Sequence, residues 1–330
     1  MKKICCAIAL GSLCSLSAMG ATQDPEKKLT RAAIEEAARD LQGVEIALRD
    51  HSGVPAAGSS TVLRGDGTVV VSWSEVYPLT AAEKTSSRQL RLALAPDDVR
   101  KIVKLFAVDE VLAMPKTRTD LVGVREMRFS VALTVAGAGS FEGEHPNLEG
   151  SKLPKSNAAR ELIQAIRSSV QELQARIAKQ DEEFLTKERM SSLIDAGLVL
   201  ELRDIQGLWG GTSLRLRSDG VVEGVTADVP RQGRSGMQVR HFKDTLPKDR
   251  AAAILKSCVE SGAIEIQPAK RFGIPDEAFP HLQVTATVDG ATYSRSVGMW
   301  EGQVGEHPAF GKVRKALLDV AAEQLKQAGK

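Results

Sequence analysis

The chain has 330 residues, 44 of them basic and 42 acidic, and its composition is 42% hydrophobic but only 4% aromatic. Charges of both signs are interspersed, so there is no global field to draw in nucleic acid or an anionic membrane. The scarcity of aromatics argues against a platform of stacked rings for sugars or bases.

The first residues read as an export signal. Lys2 and Lys3 precede an uncharged apolar stretch from Ile4 to Met19, and the small residues around Ala18 and Gly20 suit cleavage after Gly20 or Ala21. The run is short for a membrane span, which needs about 20 apolar residues, and bulky Leu13 before Cys14 disfavours a lipoprotein. Residues 1–20 are therefore expected to leave as a signal peptide, giving a periplasmic or secreted protein with no integral membrane segment. The 44 basic residues less Lys2 and Lys3 then number 42, equal to the 42 acidic ones. Cys5, Cys6 and Cys14 leave too, and Cys258 alone cannot form an internal disulfide.

The remainder of the chain nearly repeats itself. Leu48-Arg49-Asp50 returns as Leu202-Arg203-Asp204, and Ser60–Gly67 as Ser213–Gly220. Val131–Val135 with Gly137 returns as Val284–Val288 with Gly290, so the matches sit 153 or 154 residues apart. A repeat that long means two domains rather than a solenoid, with modules at 29–180 and 181–330, each long enough to bury its own core.

In chain order the first module begins with a helix over 29–42, capped by Thr30 and stopped by Gly43. Val44, Ile46 and Leu48 then alternate as a strand. The second copy gives a helix through Ile194, a stop at Gly197 and a strand at Leu198, Leu200 and Leu202. Asp66-Gly67 and Asp219-Gly220 lie between β-rich runs and signal hairpins, so both aspartates are assigned to turns. A further strand is expected over Arg88–Leu94, matched by Gln238–Phe242. Pro96 and Pro247 each lead a helix, and strand pairs centred on Phe129–Val135 and Leu282–Val288 come next. Each module closes with a helix, the first running on toward Ile177 as a connector. The pattern is α+β: a tandem duplication of an antiparallel-sheet module with helices on one face. Ser72, Ser74, Glu75 and Glu223 suggest that the other face is solvated.

The residues that could carry chemistry are few. Gly143-Glu144-His145-Pro146 recurs as Gly305-Glu306-His307-Pro308, and histidine titrates near neutral pH. The spacing of these tetrapeptides is 162 residues rather than 153, and Gly and Pro favour turns between the last strand pair and the closing helix. His51, His241 and His281 have no counterparts. Zincin, nucleophile-elbow, phosphate-loop and paired Cys-x-x-Cys signatures are absent, and no cofactor or metal is implied. Asp276 near His281 is a mild cluster in a proline-bearing loop, and Ser59, Ser60 and Ser235 lack an oxyanion context. Cys258, among Ala251, Ile254, Leu255 and Val259, reads as a core thiol. Trp73 and Tyr77 in the first copy and Trp209 and Trp300 in the second are candidate partner contacts, as is the basic loop from Ala227 to Arg240. Arg49–Asp50 and Arg203–Asp204 are the shared charged pairs, readable as local ion pairs or loop caps.

These features point to an exported, soluble protein of a bacterial envelope that binds a protein or small ligand non-covalently. Glu144, His145, Glu306, His307, Trp209 and Trp300 are the candidate contact residues. One alternative is a hydrolase-like or metal-dependent enzyme using the Glu-His pairs between the modules. Another is a scaffold that self-associates through a sheet edge.

Overall fold

The computed structural model describes residues 28–51, 59–75, 79, 86–115, 128–146, 157–206, 210–228, 238–269 and 278–328. The expected signal segment, Tyr77, Trp209, Ser235 and Asp276 lie outside them.

The fold is α+β, with two antiparallel sheets of six strands each. The first half runs α1 (Arg31–Ala37), β1 (Val44–His51), β2 (Ser59–Arg64), β3 (Thr68–Glu75), β4 (Ser86–Ala93), α2 (Pro96–Leu105), α3 (Asp109–Leu112), β5 (Arg128–Val135), β6 (Gly139–Pro146) and α4 (Asn157–Phe184). The second runs α5 (Lys187–Leu193), β7 (Val199–Gln206), β8 (Gly210–Arg217), β9 (Val221–Asp228), β10 (Gln238–Thr245), α6 (Lys248–Glu260), β11 (His281–Val288), β12 (Ala291–Gly298), α7 (Glu301–Val304) and α8 (Pro308–Ala328). Strand orders are β4-β3-β2-β1-β5-β6 and β10-β9-β8-β7-β11-β12. Each sheet is a meander followed by a hairpin added on the far side of its first strand. By contacts, described residues 28–75 and 87–176 form one compact unit, and Leu79, Ser86 and residues 177–328 form the other. That division falls inside α4, which continues through Asp181 to Phe184.

Alternation decides which face is buried. Val44, Ile46 and Leu48 are buried on β1 while Glu45 and Arg49 are exposed. On β7, Leu200 and Leu202 join one core with Ala251, Leu255, Cys258 and Val259 of α6 and Val313, Leu317 and Val320 of α8. In the first unit the buried stripes are Val99, Ile102 and Val103 on α2 and Leu162, Ile163, Ile166, Val170 and Leu173 on α4.

Both Asp-Gly hairpins are built alike. Asp66 Oδ1 accepts from the Thr68 amide at 2.8 Å, and Asp219 Oδ1 accepts from the Val221 amide at 3.1 Å. The Thr68 bond holds the Asp66 carboxyl below its ordinary range. Gly67 and Gly220 have φ of 86° and 91°, where a side chain is strained. Their carbonyls accept from Leu94 and Leu246 amides at 2.8 and 2.9 Å, tying each turn to the start of the proline-led helix. A Cβ on Gly220 would lie 2.4 Å from the Leu246 carbonyl oxygen. Gly220→Ala is therefore expected to destabilise the second unit by about 1–3 kcal/mol, read by urea denaturation. A neutral result would overturn the docking of this turn.

Each module starts on a shared Leu-Thr-basic triplet. Thr30 and Thr186 cap α1 and α5, accepting from the Ala33 and Arg189 amides at 3.3 Å in both cases. Leu29 and Leu185 before them are buried. The chain leading into each module also reaches the outer edge of that module's last hairpin. Leu29 donates its amide to the Ser140 carbonyl at 3.2 Å, whereas the Ser294 amide donates to Asp181 Oδ2 at 2.9 Å. Ser140 and Ser294 hold the same place, because the rows Glu45–Thr134–Ser140 and Val199–Thr285–Ser294 correspond. Around Asp181, Phe184 stacks on Tyr293 at 3.5 Å and Arg295 donates to the Leu185 carbonyl at 3.3 Å. Burial raises the Asp181 carboxyl above its ordinary value, against the hydrogen bonds from Ser294.

The copies differ in register. Val131 faces Leu48, but its sequence counterpart Val284 faces Leu200, and Leu202 faces Leu282. The second hairpin is thus slid by two residues along the central strand. An even slide keeps every side chain on its face, so the core survives it.

The outer face of the second sheet differs from the solvated surface expected. A lateral row runs Gln283, Glu201, Arg215, Glu223 and Lys243 across β11, β7, β8, β9 and β10. Arg215 pairs with Glu201 and Glu223 at 3.3 Å each, and Arg203 donates to Glu201 at 2.7 Å. The Glu223 side chain is only 14% exposed, and Val225 and Ala227 on the same face are buried. The corresponding row of the first sheet is Ala132, Ala47, Val62 and Val70, all half-exposed. The side chains of Ser74 and Glu75 lie outside the described residues.

Candidate functional site

The two Gly-Glu-His-Pro segments occupy unrelated places. The sequence puts both in turns after the last strand pair, but the first lies within β6, where Glu144 faces Ser130 and His145 faces Phe129. Pairing with β5 simply continues to Pro146, and the Glu144 amide also donates to the Pro115 carbonyl at 2.9 Å. A Cβ on Gly143 would sit 2.7 Å from Met114 Cβ, so the chain after α3 packs directly on this strand. The second segment is a turn between α7 and α8, with the His307 carbonyl accepting from Gly311 at 3.1 Å. Gly305 there has open space at its Cβ position. The offset of 162 residues between the segments reflects this non-equivalence.

Alternation also parts Glu144 from His145. Successive strand side chains point to opposite faces, so His145 joins Phe129 on the helix-covered face and Glu144 joins Ser130 on the other. Both are buried, whereas Glu306 is exposed and His307 half-buried. His145→Ala is expected to destabilise the first unit by about 1–3 kcal/mol, and His307→Ala to stay within about 0.5 kcal/mol of wild type. Urea denaturation of the two variants checks this, and equal effects would overturn the placement.

The Leu-Arg-Asp repeat resolves the same way. Leu202 enters the core, Arg203 joins the ionic row on the outer face, and Asp204 turns to the helix side. Arg203 and Asp204 are therefore not partners, contrary to a local ion pair. Arg314 of α8 donates its Nε to Asp204 Oδ2 at 2.7 Å and its Nη1 to Glu301 Oε1 at 2.8 Å. The side chains of Arg314 and Asp204 are 15% and 6% exposed. Asp204 Oδ1 is buried and takes no hydrogen bond among the described residues. Burial raises the Asp204 carboxyl above its ordinary value, opposed by the hydrogen bond and charge of Arg314. On the same face Thr212, the cross-strand neighbour of Asp204, has its hydroxyl 3.2 Å from that of Thr226. Asp50 holds the equivalent place on β1, facing Ser59 and Phe129.

Of the candidate aromatics, Trp209 lies outside the described residues, as does the side chain of Trp73. Trp300 is half-buried at the start of α7, its amide donating to Gln303 Oε1 at 3.2 Å. Phe279, which sequence reasoning missed, lies edge-on to Trp300 with ring centroids 4.9 Å apart, and it is 49% exposed. Its ring covers Gly298, where a Cβ would be 2.5 Å from Phe279 Cε1. No sequence signal separates an exposed phenylalanine from a core one when it stands alone before Pro280.

The remaining candidates are structural. Cys258 is fully buried, and burial pushes its thiol up to about 12, where the thiolate nucleophile is not formed at neutral pH. His241 is half-buried on β10, with Nδ1 3.4 Å from the Leu79 carbonyl. His281 stands on β11 opposite Arg203 and Gly298, and the side chain of His51 lies outside the described residues. Of the basic loop, the described ends Asp228 and Arg240 form an ion pair. Among the described residues no group of three or more His, Cys, Asp or Glu is placed to hold a metal ion, and no helix is long and apolar enough to cross a membrane. The sequence matches no protein-family model and no curated protein.

Proposed function

We propose that this is an exported protein of a bacterial envelope, periplasmic or secreted, that acts by binding a protein or small ligand non-covalently. The observation that carries the reading is Phe279, held half-exposed against Trp300 over a glycine. Aromatic residues, phenylalanine included, are enriched at interfaces, and this ring stands outside the buried core cluster of the second unit. The signal-like segment 1–20 supports export. The charged residues shared by both copies support binding over catalysis, since Asp66, Asp219 and Asp204 are engaged in turns and in an ion pair. An acid/base unit formed by Glu144 with His145 is disfavoured by their opposite faces.

The test is a pull-down with residues 21–330 as bait against envelope extract, comparing wild type, Phe279→Ala and the pair His145→Ala and His307→Ala. A specific partner kept by the histidine variants and lost with Phe279→Ala is the expected result. A partner held equally by all baits would remove Phe279 as the contact. An empty wild-type lane would turn the proposal toward small ligands, tested by calorimetric titration of low-molecular-weight envelope fractions.

A further inference from the structure

We draw no further inference here: the strongest candidate, the Asp204–Arg314–Glu301 side-chain cluster at the end of β7, is accounted for by holding α8 and α7 to the sheet, and nothing in the structure shows a ligand for the remaining Asp204 oxygen.

Discussion

Arg314→Met is expected to destabilise the second unit by about 3–5 kcal/mol, because it leaves Asp204 as a buried charge without its partner. The sign of the pH dependence is set by the direction of the Asp204 shift. A carboxyl raised in the folded state binds its proton at a pH where the unfolded chain, near 3.8, is still ionised. Such a group penalises the fold above its raised value, and the penalty fades as pH falls through that value toward 3.8. Removing Arg314 takes away the hydrogen bond and charge that oppose burial, so the carboxyl rises further. The loss should therefore be greatest near pH 7 and fade as pH falls toward 3.8, measured by urea denaturation at pH 7 and at the lowest pH at which the fold holds. Arg314→Met combined with Asp204→Asn should recover part of the loss at neutral pH. An equal loss at both pH values, or no recovery in the double variant, would show that the ion pair does not carry the effect.

Ile46→Ala and Leu200→Ala should each cost about 2–5 kcal/mol, the range for emptying a packed position. These residues are equivalents on the central strands β1 and β7, and both are essentially inaccessible. Calorimetry that resolves the two units should show Ile46→Ala lowering the stability of the first and Leu200→Ala that of the second. A loss below about 1 kcal/mol in either would mean that the central strand is not the packed middle of its core.

Much of this architecture is legible in the chain because it depends on local chemistry. Asp66-Gly67 and Asp219-Gly220 announce their turns, since the aspartate accepts from the amide two residues on and glycine takes the positive φ. Alternation of Val44, Ile46 and Leu48 names the buried face of β1 without any partner in view. Repetition strengthens both readings, as two copies fail independently. The start of the module is harder to read, because Leu29-Thr30 and Leu185-Thr186 are too short a match to rise above chance. The two-residue slide of β11 is invisible for a physical reason: an even slide changes no residue's facing, so pattern matching gives the same answer before and after.

The candidate site is less legible in the chain. Gly-Glu-His-Pro is identical in both copies, yet identity of four residues does not fix conformation. In one case β pairing overrides the turn tendency of Gly and Pro, and in the other two helices meet at it. The Asp204–Arg314 pair joins residues 110 apart, and no periodicity links them. Phe279 carries no mark in the sequence, because exposure of a single ring is a tertiary outcome.

Ser140 and Ser294 mark the row at which the incoming chain touches the outer strand of each terminal hairpin. The edge strand of each terminal hairpin meets the chain that leads into its own module, by a backbone amide in one copy and a carboxylate in the other. A strand pairing along the whole of β6 or β12 would have to displace the incoming chain at this row. Each copy of the module thus carries its own local obstacle to edge-to-edge pairing on that side.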